Sequence, residues 1–350
     1  MNGVTHSGET RLSAKSIGFG IIGLGRIGAF HAETLRSHTP GARLVAAAVD
    51  PTHFAALTRE GSAPCELFDN VEELVAHANV EAIVIASPAT LHQEHITLAA
   101  AAGKPIFSEK PLAVGVAVGE AVLAAVKDAR IPFQIGFQRR FDPSYARAHE
   151  LIAAGAIGDV EMFRGMSCDR LGPIEFLKTS GGLFLDLASH DFDAARFLTG
   201  QEVVAVHAIG SVLVEPELAT FDDVDYGIVL LRFANGALGV VQASWRAPYG
   251  YDIRAEVHGS LGKVVAEVDE KYPTVLYDGR GKVSERHDHF LERFGEAYRL
   301  EVQAFVKSLH DGALPTPGID DAMATLRIAD AATRSRRIGD WVRLEGNDVP

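Results

Sequence analysis

The chain is short of cysteine and has no long apolar run. Cys65 and Cys168, far apart, are the only two cysteines in 350 residues. That count leaves no room for a disulfide framework or a paired-cysteine zinc motif, and it fits a reducing compartment. Gly, Pro or charge interrupts each apolar stretch well before the roughly 20 residues a membrane helix needs. The polar run from Met1 to Lys15 lacks the apolar core of a signal peptide. A cytoplasmic protein with a loose tail over 1–16 is the expectation. Positive charge is also scarce: 33 Lys and Arg face 46 Asp and Glu, a net charge of −13. Nucleic acids and anionic membranes want a basic face, so neither is an expected partner.

What is present is a globular composition, 47% hydrophobic and 23% charged, long enough for two domains. Over 17–137, short strand-like runs (17–22, 43–49, 82–86, 105–108, 133–137) alternate with helical patterns (27–37, 52–60, 71–78, 91–102, 115–129). This alternation predicts an α/β Rossmann domain, a doubly wound parallel sheet covered on both faces. Over 138–350, after a helix near 143–154, strands dominate, at 159–167, 203–213, 226–233, 237–246, 253–259, 263–267 and 274–277. Asn235-Gly236 between two of them is a hairpin signal. One long helix is expected at 182–199, with two more at 290–310 and 319–337. The second half thus reads as an α+β domain with a large, mostly antiparallel sheet.

The sequence Gly23-Leu24-Gly25-Arg26-Ile27-Gly28 follows a predicted strand and opens a predicted helix. In a dinucleotide fingerprint, Gly23 permits the tight turn, Gly25 lets the backbone approach a pyrophosphate, and Gly28 lets the helix pack on the strand. The helix N-terminus then offers free N–H groups to phosphate. Arg26 contacts phosphate or is simply solvated. Asp50 ends the next apolar run, 22 residues after Gly28. An acid there accepts from the ribose hydroxyls and repels a 2′-phosphate, which favours NAD over NADP.

Two further segments carry chemistry. Phe107-Ser108-Glu109-Lys110-Pro111 follows a predicted strand, and strand carboxyl ends line the ligand crevice of such sheets. Lys110 there reaches a cofactor or substrate, or is a surface lysine before a turn. In Gly181–Arg196, Asp186 and His190 stand four residues apart and share a face of the predicted helix. They form a functional pair or a plain surface ion pair; as metal ligands they lack a third partner, and no metal is expected.

The fingerprint, the Glu109-Lys110-Pro111 triplet and Gly181–Arg196, in this order, resemble the oxidoreductase family of glucose-fructose oxidoreductase and inositol 2-dehydrogenase. The resemblance covers roughly 17–345. Gly136–Asp142, Ser189–Asp193 and Tyr249–Arg254 resemble the inositol 2-dehydrogenase branch, and Phe290–Phe294 with Ala297, Tyr298 and Glu301 fits it too. The resemblance implies NAD-dependent oxidation of a secondary hydroxyl of a cyclic polyol, first of all myo-inositol at its 2-position. scyllo-Inositol, another inositol or a pyranose sugar is the near alternative, and a non-catalytic NAD-binding regulator the distant one. It implies Lys110, Asp186 and His190 as catalytic groups, with His190 the general base, Asp186 orienting it and Lys110 holding the substrate oxygen; Lys110 as the base is the alternative. Ser87, Pro88, His92, Glu109 and Lys110 are implied on the cofactor side beside Gly23, Gly25, Arg26, Ile27, Gly28 and Asp50. Arg139, Asp169 and Tyr249 are implied substrate contacts, with Arg140 and Tyr251 as their competitors. Cys168 departs from the branch, which often has arginine there; Arg170, two residues on, is on the same face of a strand. The family packs its sheet faces into homotetramers or homodimers.

Overall fold

A computed structural model describes residues 16–48, 65–267, 270–279 and 281–344. Asp50, the helix expected at 52–60 and most of the expected tail lie outside the described residues. A six-stranded parallel sheet is built from β1 (Ile17–Ile22), β2 (Ala42–Ala48), β3 (Glu66–Phe68), β4 (Ala82–Ile85), β5 (Ile106–Glu109) and β6 (Phe133–Gly136), in the order β3-β2-β1-β4-β5-β6. The central strand β4 and its neighbours β5 and β6 are buried on both faces, which is why their sequences do not alternate apolar with exposed polar residues. The order reverses direction between β1 and β4, and such a switch point opens a crevice at the strand carboxyl ends. Helices α1 (Arg26–Ser37), α2 (Val71–Ala76), α3 (His92–Ala101) and α4 (Val116–Ala129) alternate with the strands.

A 3-10 turn, Gln138–Phe141, leads to α5 (Pro143–Ala153). Asp142 caps α5, its Oδ1 accepting from the backbone N–H of Ser144 and Tyr145, and Pro143 sits in the first turn, where no N–H is needed. A second sheet follows, of seven strands: β7 (Val160–Cys168), β8 (Val203–Ser211), β9 (Tyr226–Phe233), β10 (Leu238–Ser244), β11 (Asp252–Gly259), β12 (Gly262–Glu267) and β15 (Val342–Arg343). Its pairings are antiparallel except β7 with β10. Along β9, Gly227, Val229, Leu231 and Phe233 are buried while Ile228, Leu230 and Arg232 are exposed, the period-two pattern of a sheet with one covered face. The Asn235-Gly236 turn joins β9 to β10, with Gly236 at φ +88°.

Several elements differ from expectation, among them β3 and β15, which were not expected as strands. The strand expected at 274–277 is β13 (Val275–Asp278), paired only with β14 (Gly281–Ser284) and outside both large sheets. A short helix, α6 (Ile174–Ser180), was not expected. The helix expected at 182–199 is two, α7 (Leu183–Asp186) and α8 (Ser189–Thr199).

The last helices, α9 (Phe290–Asp311) and α10 (Ile319–Ile338), hold the two sheets together. Val302, Phe305 and Val306 of α9 pack with Phe19, Ile21 and Phe107 of the first sheet. α10 packs on α4 and β6 on one side and on α8 and β8 on the other. No helix among the described residues is long and apolar enough to cross a membrane.

Candidate active site

The site is framed by the carboxyl ends of β1, β4 and β5 on one side and by the segment before α8 on the other. The three glycines of the first turn differ in what surrounds them. Gly23 has φ +92°, and a Cβ on it would stand 2.7 Å from the Ala86 carbonyl oxygen. A Cβ on Gly28 would stand 2.1 Å from the Gly23 carbonyl oxygen, so α1 lies directly against the turn. A Cβ on Gly25 would meet nothing within 4 Å. Gly25 caps α1 with no side-chain acceptor for the helix's first N–H groups. An open cradle before uncapped donors fits a pyrophosphate. Arg26 lies over the Phe290 ring at 5.3 Å, and Ile27 packs on the cluster of Tyr251, Phe294 and Tyr298.

The loop after β4 is tied to the Lys110 loop through His92. Its Nδ1 lies 2.6 Å from the Pro111 carbonyl and its Nε2 3.0 Å from the Ser87 carbonyl. Both carbonyls ask for an N–H, which favours the cation, but burial outweighs them and lowers the His92 pKa. Ser87 Oγ pairs with His95 Nδ1 at 2.9 Å, and Pro88 precedes the 3-10 turn Ala89–Leu91.

Lys110 reaches across to the broken helix. Its Nζ donates to Asp186 Oδ1 and to the Asp186 main-chain oxygen, both at 2.8 Å. The second bond accounts for the break. With the Asp186 carbonyl turned to Lys110, the N–H of Ala188 bonds five residues back to Leu183, and those of Asp191 and Phe192 begin a new ladder on Ala188. This corrects the expected pairing: Asp186 anchors Lys110, and it makes no hydrogen bond to His190 among the described residues.

His190 is 9% exposed and its Nδ1 is buried without a partner among the described residues. Burial first, then the positive charges of Lys110 and Arg139, hold its pKa well below the ordinary imidazole range. Asp169 joins the same electrostatic neighbourhood. Burial raises its pKa, with Asp186 adding to this, against the Arg170 N–H, Arg26 and Lys110.

Other expected contacts are placed elsewhere. Arg139 is 1% exposed, and its guanidinium bonds Asp191 Oδ1 and Ser167 Oγ, both at 2.7 Å. Ser167 Oγ in turn donates to Asp191 Oδ2 at 2.6 Å. Arg140 is taken by Asp193 and Asp321. Both arginines therefore brace α8 under His190. Ser167 faces α8, so its neighbour Cys168 points to the opposite face of the sheet, where Gln242 Nε2 is 3.9 Å away and Tyr249 bonds it. Tyr249 is 52% exposed, with Arg286 over its ring at 5.5 Å. Arg170 pairs with Asp288 at 2.9 Å. The competitor Tyr251 is buried beside Asp169, its hydroxyl pKa raised chiefly by burial.

Comparison with known proteins places this arrangement. Residues 17–137 match the oxidoreductase family with the NAD-binding Rossmann fold, and residues 145–265 match the GFO/IDH/MocA C-terminal domain. An inositol 2-dehydrogenase of Rhizobium meliloti is 39% identical over 322 residues, 91% of this chain and 97% of that one. A scyllo-inositol 2-dehydrogenase (NAD(+)) of Bacillus subtilis is 37% identical over 328 residues, 93% of this chain and 95% of that one. The chain belongs to the GFO/IDH/MocA oxidoreductase family. Among solved structures, the scyllo-inositol dehydrogenase of Lactobacillus casei with bound NAD(H) and scyllo-inositol superposes with a TM-score of 0.88 at 33% identity, covering 94% of this chain and 99% of that one. NAD is thus the family's cofactor, and the Gly23–Gly28 cradle fits it.

Proposed function

We propose that this protein oxidises a ring hydroxyl of an inositol to a ketone, with myo-inositol at its 2-position the first candidate. The observation that carries the reading is the Lys110–Asp186 pair beside His190, set where the glycine cradle and the second sheet meet. Relatives at 36–39% identity bear inositol 2-dehydrogenase names. NAD, when bound, supplies the hydride acceptor. The chain must hold the alcohol oxygen and remove its proton. An ammonium has three donors. Asp186 takes two of Lys110's, which leaves one for the substrate oxygen and for the negative charge that grows on it. Neutral His190 accepts the hydroxyl proton. Asp169, half-buried beside them, is the matching partner for a further ring hydroxyl. On the cofactor side, Gly23, Gly25, Arg26, Ile27 and Gly28 hold the phosphates, Asp50 the adenosine ribose, and Ser87, Pro88, His92 and Glu109 the loops around the nicotinamide end.

The test is NADH formation, followed by absorbance, over a panel of inositols and pyranose sugars. Turnover of a pyranose with none of any inositol overturns the substrate reading. Lys110→Ala and His190→Ala are each expected to lower turnover by about a hundredfold or more, with NAD binding kept. Unchanged turnover in both overturns the catalytic assignment.

The open face of the second sheet is proposed as a contact between copies of the chain. Ile209 pairs with Ile228, and Leu230 lies between His207 and Val240. With Leu238, these residues leave an apolar strip on the face away from the helices.

A further inference from the structure

Behind Lys110 lies a group of buried ionisable side chains, two of which, His31 and Glu301, have no part in the reaction above. His31 comes from α1, Glu109 ends β5, and Glu301 lies within the apolar stripe of α9. One ligating atom of each stands within 4.8 Å of the others. His31 and Glu301 are fully buried and Glu109 is 7% exposed. The rings of Phe107 and Tyr298 pack edge-on to the His31 ring, 5.3 and 6.0 Å away, so the walls are aromatic. His31 Nε2 lies 2.6 Å from Glu109 Oε1. Both carboxyl oxygens of Glu301 are buried without a hydrogen-bond partner among the described residues.

A metal ion with bonds of about 2.0–2.2 Å keeps neighbouring ligand atoms about 3 Å or more apart. The shorter His31–Glu109 separation is that of a hydrogen bond, with imidazole the donor and an ionised Glu109 the acceptor. His31 Nδ1 is buried and unpartnered, which a bare lone pair tolerates better than a second N–H of a cation. The pair then carries one negative charge. A second ionised carboxylate this close, fully buried and with no donor among the described residues, has no protein group to offset its desolvation. Burial and Glu109 both push the Glu301 carboxyl well above its usual range.

We propose that Glu301 is a neutral carboxylic acid holding a proton, and that Glu301, Glu109 and His31 form a positioning unit that pins the end of β5, and with it Lys110, between α1 and α9. The functional half of this rests on the reading that Lys110 is catalytic. Glu109 and Lys110 are consecutive, one side chain turned into this pocket and the other to Asp186. A charged Glu301 would repel Glu109 and drive the strand end off α9.

Infrared difference spectra of the wild-type enzyme against Glu301→Gln read the proton directly. The expected result is loss of a protonated-carboxyl C=O band that the wild type keeps across neutral pH. Glu301→Ala is expected to lower kcat tenfold or more with little change in substrate KM, and Glu301→Gln, which keeps the shape and neutrality of the acid, to restore it. Glu301→Met, which fills the space, takes the place of the alanine variant if that fails to fold. Absence of the band overturns the proposal, as does one equivalent of tightly bound divalent metal that Glu301→Gln removes. A glutamine variant as impaired as the alanine one overturns it too. The band and the metal content are independent of Lys110, whose role Lys110→Ala tests alone.

Discussion

Gly25 and Gly28 are three residues apart, yet the same substitution should fail for opposite reasons. At Gly28 the added methyl meets backbone, which cannot give way. Gly28→Ala is expected to destabilise the fold by about 1–3 kcal/mol and to weaken NAD binding with it. At Gly25, φ is −61° and space is open, so Gly25→Ala should leave stability within about 0.5 kcal/mol. The methyl then projects into the phosphate cradle, and NAD affinity should fall tenfold or more. Thermal unfolding and NAD fluorescence titration separate the two outcomes. A destabilised Gly25→Ala would show that the cradle is packed by protein. For His190 the sign of the pH effect follows from its lowered pKa. A base acts in its neutral form, so lowering the pKa keeps it competent through neutral pH. The acid limb of kcat/KM is expected below the ordinary imidazole pKa of about 6.5. An acid limb above neutrality would assign the proton to another group.

At the scale of elements, α8 depends on charges that its apolar neighbours cannot screen. Arg139, Asp191 and Ser167 are mutually bonded, with the arginine and aspartate side chains 2% and 1% exposed. Removing one partner strands the other charge in the interior. Arg139→Leu is expected to cost about 3–5 kcal/mol in urea unfolding and to loosen the platform under His190. A loss below about 1 kcal/mol would show that Asp191 is already neutral. The resemblance implied Arg139 as a substrate contact, whereas its guanidinium is held by Asp191 and Ser167; the residue type alone does not tell an arginine that meets substrate from one that meets Asp191. The same holds for the α7–α8 break. The apolar spacing of 182–199 is continuous, and the interruption comes from Lys110, 76 residues away, which takes the Asp186 carbonyl. A local pattern carries no trace of such a bond.

For the whole molecule, the strip through Ile209, Ile228, Leu230 and Leu238 is the surface proposed above as the contact between copies. Ile228→Asp with Leu230→Asp is expected to yield a smaller species in sedimentation velocity, because burying two carboxylates costs more than the contact returns. An unchanged sedimentation coefficient would remove this face as the contact. Both residues sit on the face away from α8, so each chain should retain its fold.

The sequence by itself determined the parallel sheet, the glycine cradle and the antiparallel hairpins, since each rests on a period or a short motif that local chemistry enforces; Lys110, Asp186 and His190 stood together as a set only through the family resemblance. Only the tertiary structure decided what those groups do to one another. It gave Asp186 to Lys110 rather than to His190, turned Cys168 away from the Ser167 face and spent Arg139 on α8. It also brought Glu301 from a helix that reads as amphipathic to the back of Glu109. Burial and cross-chain charge set these pairings, and both arise only when residues far apart in sequence exclude water together.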